Sequence, residues 1–278
     1  MELDTNRLKK ALQINDGEVE EVLMPEGLWG TKSGDYQLCL VGRFLSRRAV
    51  NFEGLCASIR STIMPVKGME IKQIPPDRFL LRFNHVIDRN RALEGCPWSF
   101  EKNVLVLSGI GENENPMQVD LNWCEFYIHV HELPLSRMNL GVATFIGNKI
   151  GRFKDMEIDS MGCTWGATLR IRTAINVELP LPRALKLKTT TGEEHLVTFT
   201  YEQLSNFCYL CGCLGHITKY CPKQFEGGFQ DPSMDTPYGS WLRAPVSSKV
   251  RSRPAKIGSS QGQSAAASSH REPSRRGP

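Results

Sequence analysis

Near its C-terminal end the chain places Cys208, Cys211, His216 and Cys221 in the stretch CYLCGCLGHITKYC, at the spacing C-x2-C-x4-H-x4-C. A segment this short cannot bury a core of its own, so its fold must be organised by the ligand atoms. Zn2+ favours four tetrahedral ligands drawn from thiolate and imidazole, and a Cys3His set with no water is the closed, structural kind. The two-residue gap between Cys208 and Cys211 lets both thiolates grip one ion from a tight turn. Gly212 and Gly215 supply the backbone freedom that brings His216 round within so few residues. A binding free energy on the order of 10 kcal/mol is what folds such a loop. The spacing predicts one structural Zn2+ on these four residues, with Cys213 as a spectator.

The other cysteines bear on compartment. Nine is an odd count, and Cys39, Cys56, Cys96, Cys124 and Cys163 stand singly among apolar residues. That placement suits small buried thiols better than a disulfide framework. The opening MELDTNRLKKALQ has no apolar signal region, and no run approaches the roughly 20 apolar residues of a membrane span. The expectation is an intracellular protein with no membrane partner, the basic RSRPAK and SRR runs favouring nucleus slightly over cytoplasm. The net charge of +4 is unevenly placed: residues 239–278 hold eight Lys/Arg and one Asp/Glu, and the rest 26 against 29. A basic tail suits a polyanion such as nucleic acid.

The patterning predicts an α+β protein. An acidic N-terminal segment, 1–34, carries a weak helical period. The stretch 35–110 reads βαββαβ. YQLCLVGRF (36–44) is a buried strand, followed by a helix over 46–63 with Ser46 as its cap. Alternating strands follow at 69–75 and 77–83, then a helix over 85–95 closed by Gly95, and a strand over 102–110. This is the ferredoxin-like order, also used by RNA-recognition (RRM) domains, which lay RNA on the sheet face. Phe79, Leu81 and Phe83 share one strand face and read as core. A smaller α+β extension follows over 120–204. Its helix, 133–151, has Val142, Phe145, Ile146 and Ile150 on one face, and PLPRALKL is confined to an edge by Pro180 and Pro182. The knuckle occupies 206–223, and the Ser/Gly/Ala/Pro-rich tail, 245–278, reads as disordered.

Enzymatic motifs fail on their own terms. HVHE (129–132) never completes H-E-x-x-H, and His129 and His131 alternate onto one face of a strand. GIGENE (109–114) lacks a third glycine, and KDMEIDS (154–160) lacks the glycine turn and closing Glu of a calcium loop. No small-molecule substrate or catalytic residue is expected.

CYLCGCLGHITKYC resembles the zinc knuckle of retroviral and retrotransposon nucleocapsid proteins. The longer stretches LVGRFLSRRAVNFEGLCASIRSTI, RFLLRFNHVIDRNRALEGCPWSFEKNVLVL and FYIHVHELPLSRMNLGVATFIGNKIG resemble the plant DUF4283 family. There the domain precedes a knuckle of this type, and the short segment YGSWLRA (238–244) often follows it. The family is associated with retrotransposon-derived, gag-like or non-LTR first-frame proteins. The resemblance implies nucleic-acid binding, with Tyr209 and Ile217 as an apolar platform for an unpaired base and Lys219 at a phosphate. Lys223 and the tail arginines add charge. The expected partner is single-stranded nucleic acid, RNA ahead of DNA. In the alternative, the zinc is purely structural, Tyr209 packs on the knuckle, and the α+β region serves self-association or another protein.

Overall fold

Two five-stranded antiparallel sheets with the same strand order make up the body of the computed structural model. It describes residues 22–23, 25, 35–46, 51–158, 166–188, 192–225 and 236–244. The N-terminal segment, apart from three residues, and the tail 245–278 lie outside them. So do Trp29, Trp165 and Cys163.

The first sheet holds β1 (Cys39–Phe44), β2 (Met69–Ile74), β3 (Arg78–Phe83), β4 (Trp98–Phe100) and β5 (Asn103–Gly109), in the order β2-β3-β1-β5-β4. Helix α1 (Phe52–Ile63) joins β1 to β2, and α2 (Val86–Glu94) joins β3 to β4. Leaving aside the short hairpin strand β4, this is the ferredoxin-like βαββαβ arrangement. Leu55, Cys56, Ile59 and Ile63 of α1 meet Leu40, Phe79, Leu81, Phe83, Leu105 and Leu107 in one buried cluster. Phe79, Leu81 and Phe83 therefore face the helices, as their alternation predicts.

Two helix boundaries differ from expectation. The cap of α1 is Asn51, not Ser46: its side-chain oxygen accepts from the amides of Glu53 (3.1 Å) and Gly54 (3.5 Å). An Asx side chain one residue before the first helical position outcompetes a serine farther upstream. Gly95 does follow α2, but in a right-handed conformation (φ −81°). A Cβ there would come within 2.4 Å of the Trp98 ring, so the glycine answers a close approach and not a left-handed turn.

The second sheet holds β6 (Trp123–His131), β7 (Arg152–Met156), β8 (Leu169–Asn176), β9 (Ala184–Lys188) and β10 (Glu194–Tyr201), ordered β7-β8-β6-β10-β9. Adding five to each strand of the first order reproduces it. Helix α3 (Leu140–Ile150) stands between β6 and β7 as α1 stands between β1 and β2. It starts at Asn139, whose side chain accepts from the Val142 amide at 3.0 Å, after a separate 3-10 turn at Leu135–Arg137. Its buried face is Ala143, Ile146, Gly147 and Ile150; Phe145 points to solvent. The helical period alone favoured Phe145, but Gly147 lets the Phe153 ring approach on the other side. The extension is thus smaller by one helix and not by strands. Where α2 stands in the first half, the second has residues 177–183, with Pro180, Pro182 and no room for a helix.

The two halves share one core. Val41, Val104 and Val106 lie on the helix-free face of the first sheet. They belong to one buried cluster with Val119, Leu121, Phe126, Ile128, Phe199 and Tyr201. Polar ties accompany the burial: Arg43 to Glu178 at 2.6 Å, Arg78 to the Pro116 and Val119 carbonyls at 2.8 Å, and Arg172 to the Glu94 carbonyl at 2.9 Å. The sheet face on which an RRM lays RNA is therefore an interior surface here. Cys39, Cys56, Cys96 and Cys124 are buried, as their apolar settings predict.

Candidate metal centre and nucleic-acid interface

Strand β10 ends at Tyr201, and Phe207 then pairs with Leu214 in an isolated antiparallel bridge. That bridge frames the knuckle turn. The Cys208 amide donates to the Cys213 carbonyl at 2.9 Å, and the Gly212 amide to the Cys208 carbonyl at 2.8 Å. Gly212 (φ 77°) and Gly215 (φ 81°) take the left-handed angles that such a reversal requires.

The turn collects the ligands. One atom from each of Cys208, Cys211, His216 and Cys221 lies within 4.8 Å of the other three, and Cys211 Sγ is 3.3 Å from His216 Nε2. Donors around a tetrahedral zinc stand about 3.3–3.8 Å apart, given Zn–S near 2.3 Å and Zn–N near 2.0 Å. The four residues fit one ion with slight tightening. Cys213 stays outside the group, its Sγ 3.8 Å from the Cys211 carbonyl. Burial pushes the Cys211 thiol up to about 11 and the Cys221 thiol up to about 12. A divalent cation must displace those protons, so metal loading weakens as the pH falls.

Of the nucleic-acid contacts implied by the resemblance, Ile217, Lys219 and Lys223 are exposed. Tyr209 is half-buried. Its ring lies 5.0 Å from that of Phe207, its hydroxyl accepts from Arg243 at 2.9 Å, and its amide donates to Thr218 Oγ1 at 3.1 Å.

Residues 236–244 fasten this knuckle to the body. The Tyr238 ring fills the space that a Cβ on Gly212 would take, at 2.3 Å, and its amide donates to the Tyr209 carbonyl at 3.1 Å. The Arg183 guanidinium lies 4.8 Å from the Tyr238 ring. Leu242 is fully buried in the shared core, and the Ala244 amide donates to the Tyr201 carbonyl at 2.9 Å. Arg243 donates to the carbonyls of Leu204 (3.1 Å) and Ser205 (3.3 Å) and stands 5.1 Å from the Phe207 ring. The segment YGSWLRA thus docks through Leu242 and Arg243, while Trp241 remains exposed. Tyr238 and Arg243 were not expected as parts of the site. Their only signal was the short segment itself, since no periodicity links a knuckle to residues some 30 positions on.

The histidines of HVHE are engaged elsewhere. His129 Nε2 meets Glu202 at 2.6 Å and its Nδ1 meets Thr168 at 3.1 Å, while His131 meets Thr200 at 2.9 Å. Arg170 reaches the same Glu202 carboxylate with two bonds, at 2.7 and 2.9 Å. Burial would raise the Glu202 carboxyl, but hydrogen bonds and charge from Arg170 and His129 prevail and hold it at about 2.

Residues 33–118 match the family described as Domain of unknown function (DUF4283), and residues 175–223 match the family described as Zinc knuckle. The chain thus carries a DUF4283 domain and, after it, a zinc knuckle with a Cys3His ligand group. The knuckle match begins within β8, consistent with a knuckle that is continuous with the second sheet. No curated protein matches the chain. Among solved structures, the C. elegans NONO-1 homodimer is similar at 11% identity and TM-score 0.23, over 52% of this chain and 52% of that one. The first two RRM domains of yeast poly(U) binding protein Pub1 are similar at 11% identity and TM-score 0.22, over 49% and 81%. The chain spans about half the length of the C. elegans protein it resembles.

Proposed function

We propose that this chain is a zinc-dependent binder of single-stranded nucleic acid that works through its knuckle and is not a catalyst. The observation that carries the reading is the four-ligand group itself, within 4.8 Å, on a turn whose outer residues include exposed Ile217, Lys219 and Lys223. One ion bound there would be structural, since three thiolates and an imidazole leave no open position for a substrate. Its contribution is to hold the turn. The side chains do the binding: apolar groups stack on unpaired bases, and the lysines and the basic tail neutralise phosphates.

A titration of the zinc-loaded chain against single-stranded and duplex RNA and DNA, at two salt concentrations, tests this. Preference for single strands, loss of binding on chelation and a falling affinity with salt are expected. Affinity that survives chelation and vanishes on deletion of 245–278 would mean that the tail alone binds.

A second reading has its own support. Phe207 and Leu214 belong to the main core, and Tyr209 packs against it, so the knuckle also completes the body. In this reading the α+β region binds itself or a protein partner. A complex that survives nuclease treatment and substitution of the knuckle's exposed residues would favour it.

A further inference from the structure

Tyr209 is poorly placed to stack on a base. Phe207, Arg243 and the backbone of Tyr238 already hold it, and a base on its ring would have to displace part of that packing. The exposed apolar side chains of the knuckle lie after His216. Ile217, Tyr220 and Phe225 are 40%, 43% and 88% exposed. Ile217 and Tyr220 sit one turn apart across the 3-10 helix Thr218–Tyr220, with the Tyr220 amide donating to the Ile217 carbonyl at 2.9 Å. That bond places Ile217 and Tyr220 at the two ends of one short turn. A second 3-10 turn, Pro222–Phe225, follows directly. It is tied back by the Gln224 amide on the Cys221 carbonyl at 3.2 Å and by the Gln224 side-chain amide on the Thr218 carbonyl. Cations alternate with these groups: Lys219 Nζ is 5.9 Å from the Tyr220 ring centroid, and Lys223 is exposed on the second turn.

We propose that Ile217, Tyr220 and Phe225 form the stacking rim of the knuckle for consecutive unpaired bases, with Lys219 and Lys223 on the adjoining phosphates. Tyr209 is then a positioning residue that fixes the turn to the body. This rests on the single-strand reading above and names the surface that carries it. The composition of the rim suits that ligand. Aromatic faces stack on any base, and interleaved lysines match a phosphate backbone where a purely apolar partner would leave two cations unpaired.

The test uses the full zinc-loaded chain and a fluorescent single-stranded uridine oligonucleotide. Tyr220→Ala with Phe225→Ala should weaken binding about tenfold or more for each ring lost, with zinc stoichiometry and salt slope unchanged. Phe225→Ala alone, at a position that is almost wholly exposed, should already lose part of it. Tyr220→Trp should retain or tighten binding, and Tyr209→Phe should leave it near the parent value. Lys219→Gln with Lys223→Gln should instead flatten the salt slope by about 1.4. If the double aromatic variant binds like the parent while chelation still abolishes binding, the rim is wrong and the single-strand reading stands. If the zinc-loaded parent binds no single strand, both fall.

Discussion

Glu202 shows how much one buried carboxylate carries. It lies at the end of β10 and accepts from Arg170 and His129, which hold its pKa at about 2. Depressed from an ordinary value near 4.5, it contributes stability that is fully present above pH 4.5 and is lost as the pH falls toward 2. Acid unfolding followed by circular dichroism should therefore steepen across that window. Glu202→Gln should remove this component and destabilise the chain by about 3 kcal/mol at neutral pH, since it leaves Arg170 with only the exposed Glu157 as a charge partner. Arg243 is comparable. Arg243→Lys keeps the charge but loses the fork that reaches Leu204, Ser205 and Tyr209 together, and should cost about 2 kcal/mol in a denaturant titration.

At the scale of elements, periodicity was a good guide wherever neighbours in sequence do the packing. The strands around 36–44, 69–83 and 102–110 and the helices α1 and α2 read correctly to within a few residues, except at the start of α1. The convergence of Cys208, Cys211, His216 and Cys221 was legible for the same reason, because a knuckle is a local object. What escaped depends on distant partners. The bond that holds the Tyr209 hydroxyl comes from Arg243, 34 residues later. Phe145 looked like core because nothing local announces that Phe153 would lie against Gly147. The standing of single elements can be tested. Asn51→Ala should lower stability by about 1 kcal/mol through the lost cap of α1. Gly212→Ala should do more: its Cβ would strike the Tyr238 ring, and the φ of 77° suits only glycine. Zinc retention during dialysis against a weak chelator is the measurement, and faster loss is expected.

Two sheets of one strand order share the cluster between them, while the first keeps a second cluster under its helices, and the duplication was hidden because the described residues of the second half hold no counterpart of α2. Helix α3 covers β7 and β8. The inner residues of β10, Val197, Phe199 and Tyr201, share one cluster with α3 and with Leu181, Phe207, Leu214 and Leu242, and the 3-10 turn that carries Leu242 packs on β10. Part of the knuckle and the segment behind it thus belong to the core that β10 helps to build. Removing the ion should then lower the melting temperature of the second sheet as well as that of the knuckle. Differential scanning calorimetry with and without chelator should show the main transition itself moving down. Val41→Asp, on the buried face of the first sheet, should unfold the chain, as circular dichroism would show.

The bond from the Ala244 amide to the Tyr201 carbonyl has a further consequence. It joins the two ends of the chain that carries the four Cys and His residues, at Tyr201 and Ala244, through a contact that uses no ligand atom. The entropy of drawing those ends together is then charged to folding and not to metal capture. An isolated knuckle peptide must meet that cost at the moment of binding. The intact chain should accordingly hold zinc more tightly than the excised peptide, and release it more slowly, with the same four ligands in both.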